Sequence, residues 1–272
     1  MVAGKFVVIS TAGHSLSQLS YIATALRRFS DYVERTHGTQ PAIWYTVVYL
    51  VAGMDNIKRF ARQCHGLDLN PATIGYSFES DHSVVAAVGT ERVQPPLGTL
   101  LHEYVHVAVR VDFGDIPPWL DEGIASLYEE TKIVGDDFIP QPNWRGRFLR
   151  EHPETLVPLE VLIGASPRPS DVEYRDSGVP FEDQHPMLAV KEAGRWATAR
   201  YFMLYLHSRR MIAPVYMAFS DVNWASVEAL GSTRAWAIQT VGKALGMDIG
   251  SMENDFRDWL RREHGIYPGA PR

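Results

Sequence analysis

Cysteine is nearly missing from this chain: Cys64 is the only one in 272 residues. An intramolecular disulfide is therefore excluded, and with it any disulfide framework. Cys64 itself reads as a small, half-buried apolar side chain. Long hydrophobic runs are missing too. No stretch approaches the roughly 18 apolar residues of a membrane-crossing helix. An excess of positive charge is absent, since 26 Lys and Arg face 32 Asp and Glu for a formal net charge of -6. That balance gives no footprint for nucleic acid. The N-terminal residues Met1-Val2-Ala3-Gly4-Lys5 lead directly into an apolar strand, with no basic region, h-region or small-residue cleavage site. The expectation is a cytoplasmic protein, or one whose signal has already been removed. Oligomeric state is left open.

What is present is ordinary globular material: 46% hydrophobic and 21% charged residues, enough to fill a sizeable core. The first part alternates strand and helix patterns. Lys5 to Ser10, Ala42 to Val51, Ala72 to Phe78 and Ser83 to Val88 read as strands. Leu16 to Thr36, with apolar residues at Leu19, Ile22, Ala23, Leu26, Phe29 and Val33, has helical spacing. After Pro95-Pro96 the helical pattern dominates. Leu97 to Val111 carries Leu101, Val105 and Ala108 on one stripe, and Trp119 to Lys132 follows another proline pair. Residues 133–190 are the least regular part, with one helix expected near Trp144 to His152 and another near Leu159 to Ile163, and Ser166 to Pro186 reads as a long loop of the kind that covers clefts. From Arg195 onward the chain is helical again. The pattern predicts an α+β fold: a sheet subdomain over 1–96 and a mainly helical subdomain over 97–272, within a single catalytic domain. The helix after Pro96 would lie at their junction, where clefts form.

One pentapeptide carries chemistry. His102-Glu103-Tyr104-Val105-His106 matches H-E-x-x-H. Histidines four apart on a helix lie on one face, one turn from each other. Their nitrogens can reach one zinc ion at about 2.0–2.1 Å. Glu103, about 100° round the helix, stands beside the metal rather than on it, where a general base belongs. A catalytic zinc takes three protein ligands and keeps one open position. Glu122, in Pro118-Trp119-Leu120-Asp121-Glu122-Gly123-Ile124-Ala125, is a carboxylate on the next helix and can serve as the third. Its plain alternative is a first-turn glutamate favoured by the helix dipole. Gly123 suits a close helix crossing.

With H-E-x-x-H followed by W-L-x-E-G-x-A, the chain resembles the peptidase MA-like gluzincins, and more distantly the M1 aminopeptidases and thermolysin. The specific part of the likeness is residues 99–128. The resemblance implies a thermolysin-like zincin with a mixed sheet lobe, a helical lobe and the active-site helix between them. It implies a zinc metallopeptidase acting on a peptide or protein substrate, with His102, His106 and Glu122 on the metal and Glu103 as base. It also implies a tyrosine that stabilises the oxyanion. Tyr201 is the candidate, with Tyr205 in reserve, and the alternative is that Tyr201 packs in the core. In such enzymes an edge strand pairs with the substrate, and Ser83 to Val88 is in place for that role.

The other metalloprotease pattern, H-E-x-x-H-x-x-G-x-x-H, departs here at Val109 and Asp112; Asp112 is its only remaining ligand option. No Gly-x-Met-Glu-Asn segment is present, which favours endopeptidase over aminopeptidase action. The competing functional reading is an inactive zinc-binding scaffold or regulatory protein, against which the intact Glu103 stands.

Overall fold

The computed structural model describes residues 1–89, 97–113, 116–164, 186–220, 222, 226–227 and 232–267. The expected loop Ser166 to Pro186 lies almost wholly outside them. The protein is α+β, with a mixed sheet at the N-terminal end and a mostly helical C-terminal part.

The strands are β1 (Val2–Ala3), β2 (Phe6–Ser10), β3 (Thr46–Ala52), β4 (Gly75–Phe78) and β5 (Ser83–Val88). They form one sheet in the order β1-β2-β3-β5-β4. β2, β3 and β5 run parallel, while β1 and β4 pair antiparallel at the two edges. Burial explains the arrangement. Val84, Val85, Ala86 and Val88 of β5 are all buried, as suits an interior strand covered on both faces. β5 is therefore not an edge, contrary to expectation; the edge on its side of the sheet is β4.

α1 (Leu16–His37) links β2 to β3, and α2 (Met54–Phe60), extended by a wider turn over Ala61–His65, follows β3. α3 (Leu97–Val109) carries the pentapeptide and packs on β4 and β5. Then come α4 (Pro118–Leu127), a hairpin of β6 (Thr131–Val134) and β7 (Asp137–Pro140), α5 (Trp144–Glu151), α6 (Leu159–Gly164), α7 (Pro186–Ser208) and α8 (Ile212–Ser220). The last two helices are α9 (Thr233–Leu245) and α10 (Ile249–His264). The hairpin interrupts what the sequence reads as one helix to Lys132 and as irregular chain beyond it. Its two-residue turn is Gly135-Asp136, with Gly135 at φ 58.

Internal packing divides the chain into two compact units. The first comprises Met1–Arg35, Thr39–Val111 and Tyr128–Ile139; the second comprises Thr36–Gly38, Asp112–Leu127 and Pro140–Arg272. The expected boundary at residues 96 and 97 is thus displaced, because α3 and the hairpin pack with the sheet. An aromatic cluster shows why. Phe29 of α1 meets Tyr104 at 6.2 Å, Tyr128 at 4.8 Å and Phe138 at 5.0 Å between ring centroids. Phe6 of β2 meets Tyr104 edge-on at 5.0 Å. Aromatic burial of this size dominates local packing energy. It ties strand, first helix, motif helix and hairpin into one core. In the second unit α7 is the central helix, with Ala197 to Leu206 all buried. The buried Arg200 donates to the carbonyls of Ser126, near the end of α4, and Gln141. Cys64 is exposed, not half-buried.

Candidate metal centre

α3 is buried along almost its whole length, so its orientation is set on several sides at once. Tyr104, inside the pentapeptide, is the anchor: its hydroxyl donates to Ser30 Oγ at 2.7 Å, and its ring sits in the aromatic cluster. With Tyr104 held, helical periodicity places His102 and His106 together on another face. Their Nε2 atoms face each other at 3.2 Å, and the rings meet edge to face. Two nitrogens on a tetrahedral ion with bonds of about 2.0–2.1 Å stand roughly 3.3 Å apart. The pair therefore has the separation that a shared metal demands. Glu103 completes the group: one donor atom from each of His102, Glu103 and His106 lies within 4.8 Å of the others. Two imidazoles with a carboxylate suit zinc among the common metals.

Two contacts within the first unit orient these groups. His102 Nδ1, the nitrogen turned away from His106, lies 3.2 Å from Glu129 Oε1. The contact is a close approach of carboxylate to imidazole without hydrogen-bond alignment; a carboxylate that does bond to the free nitrogen of a ligating imidazole fixes its ring and raises its basicity. Because the sequence pattern puts Glu129 on a helix running from Trp119 to Lys132, whereas the helix ends at Leu127, it does not show this partner. Gly98, one turn before His102 on the same face, is what admits it. A Cβ at Gly98 would collide with the Glu129 carbonyl, with its carbon only 2.9 Å away. The pairing of a glycine with a histidine four residues on was the available signal. On the Glu103 side, Gly75 of β4 lies against the Glu103 side chain.

The remaining expected residues belong to the second unit. Glu122 is partly exposed on α4, and its neighbour Gly123 makes a close crossing with α7 rather than α3: a Cβ there would stand 2.7 Å from Met203 Cγ and 3.2 Å from the Ala199 carbonyl oxygen. Asp112 accepts a hydrogen bond from Tyr216 at 2.6 Å. Tyr201 is fully buried, with its hydroxyl packed against Gly146 and its ring edge-on to His264 at 5.1 Å. Burial pushes its phenol pKa up. The structure gives Tyr201 a packing position instead of the substrate-facing one expected from the resemblance. Tyr205, the reserve, donates to Asp255 at 2.7 Å.

Compared with known proteins, the chain matches no family model and no curated protein. No described helix is long and apolar enough to cross a membrane.

Proposed function

We propose that this protein is a zinc-dependent peptidase of the gluzincin type, with a thermolysin-like arrangement of sheet and helices. The observation that carries the reading is the pair of Nε2 atoms at 3.2 Å, with Glu103 beside them and Glu129 behind His102. A scaffold needs the histidines but has no use for a carboxylate held beside them. His102 and His106 would hold the ion, and the sequence pattern alone offers Glu122 as the third ligand. When bound, zinc acidifies a water and polarises a peptide carbonyl. Glu103 takes a proton from the attacking water at its carboxylate and returns it to the departing amine nitrogen. Glu129 keeps the His102 ring in register. The antiparallel edge strand β4 lies on the side of the sheet against which α3 packs. Among the described residues it has no second strand partner, so an extended peptide can add to it by main-chain hydrogen bonds.

The test is metal content together with hydrolysis of a mixed peptide pool. About one zinc per chain is expected from the three-ligand site. Glu103→Ala should keep the zinc and lose cleavage by at least a hundredfold, the scale of general base catalysis. A protein that takes up no zinc on reconstitution would overturn the reading.

A further inference from the structure

Gly75 is the first residue of β4, and its backbone lies directly beside the motif helix. A Cβ built on it would collide with Thr99 Cγ2 and stand 3.3 Å from Glu103 Cγ and 3.2 Å from the Val85 carbonyl oxygen. Thr99 and Glu103 are one helical turn apart and so share a face of α3. Position 75 is therefore filled by the motif helix itself. The seat is also rigid. Gly75 is paired with Ala86 of β5, and Val85 and Ala86 are wholly buried, so the strand cannot step back from the helix.

The rest of β4 and the turn after it are fixed with equal care. Tyr76 shares its hydroxyl with His65 Nδ1 at 2.8 Å. His65 Nε2 lies 3.3 Å from Asp81 in the turn, Glu79 pairs with Arg110, and His82 stacks on Trp44 at 3.9 Å. A four-residue edge strand with these anchors holds its register against the helix.

We infer that Gly75 is a positioning residue for the general base: the bare backbone at this point sets where the Glu103 carboxylate stands relative to the two histidines. This rests on the peptidase reading above. A methyl group at 75 has only two outlets, Thr99 and the Glu103 stem, because the strand is pinned. It displaces the base directly, whereas no atom of His102 or His106 is among the three nearest to the added methyl.

The experiment compares Gly75→Ala, Thr99→Ser and the double variant with the wild type. Each is measured for zinc affinity, for the visible spectrum of the cobalt-substituted protein, for thermal midpoint and for kcat and KM on a cleaved peptide. Gly75→Ala should lower kcat by about 10- to 100-fold, the usual effect of misplacing a catalytic group by a fraction of an ångström to one ångström. Its zinc affinity should stay within about threefold of wild type. Thr99→Ser removes the methyl that the new Cβ strikes, so the double variant should recover at least a third of the lost kcat. Equal kcat in Gly75→Ala and wild type would overturn the inference. So would a parallel loss of zinc affinity and cobalt spectrum, since that would mean a collapsed site rather than a displaced base. If the wild type binds zinc but cleaves nothing, the peptidase reading fails first, and the two failures are distinct.

Discussion

His102 is pulled from both ends of its ring. Nε2 faces His106 at 3.2 Å, and Nδ1 faces Glu129 at the same distance. The carboxylate is about one-fifth exposed, so water screens the contact only partly. Glu129→Gln keeps the shape and removes the charge. On the proposed zinc site it should weaken zinc binding about 10- to 100-fold, as loss of a partner behind a ligating histidine does, without altering the circular dichroism spectrum. Competition with a chromogenic chelator reads this directly, and unchanged affinity would mean that Glu129 does nothing for the metal. Tyr104 shows the opposite case. Lying between Glu103 and Val105 in the pentapeptide, it has no chemical part to play there. Burial raises its phenol pKa to about 12, so it stays a neutral donor to Ser30 across the working range. It orients the helix that carries His102, Glu103 and His106.

At the scale of elements, two glycines on two helices make a contrast. Gly98 of α3 lies on the backbone of Glu129, and backbone cannot rotate away. Gly123 of α4 lies nearest to Met203, whose flexible side chain can. Gly98→Ala should therefore cost about 2–3 kcal/mol of stability through overpacking, more than any gain in helix propensity. Gly123→Ala should cost about 1 kcal/mol or less by the same reasoning. Denaturant melts of the two variants settle the order. Only Gly98→Ala should also weaken zinc binding, because its clash moves the partner of His102. The hairpin that carries Glu129 into place was hard to read in sequence. Burial alternates along both strands, but the apolar Val134 and Ile139 stand at exposed positions, so the alternation does not show in the residue types. The Gly135-Asp136 turn was its clearest mark.

Across the whole molecule, the clearest pH dependence comes from His37, in the second unit. It is 2% exposed, and burial lowers its pKa from 6.5 to about 4, helped by nearby His207 and opposed by a backbone hydrogen bond with Thr36. The folded state thus holds it neutral, while the unfolded chain protonates near 6.5. Its contribution is complete above that value and is lost as pH falls from about 6.5 towards 4. The total is at most about 3 kcal/mol, from the size of the shift. His207 and His264 are lowered by burial too and act in the same direction. Thermal midpoints of wild type and His37→Gln, taken between pH 7.5 and 5, should converge as the solution is acidified. Parallel curves would show that His37 is not the group responsible.

Sequence alone determined the fold class, because period-two patterns crowd before residue 90 and period-3.6 patterns after it. It also determined the pairing of His102 with His106 and the place of Glu103, since these depend only on the pitch of one helix. Tertiary structure decided what depends on distant segments meeting. The chain returns at Tyr128 to pack on Phe29, which places Glu129 behind His102 and makes the first unit discontinuous in sequence. It put β4 outside β5, so that the strand beside the motif helix is the edge. It enclosed Tyr201 beneath Gly146, because α5 and α7 come close enough there to leave no room for a side chain. Local periodicity records which face of an element is apolar; it does not record which other element will cover that face.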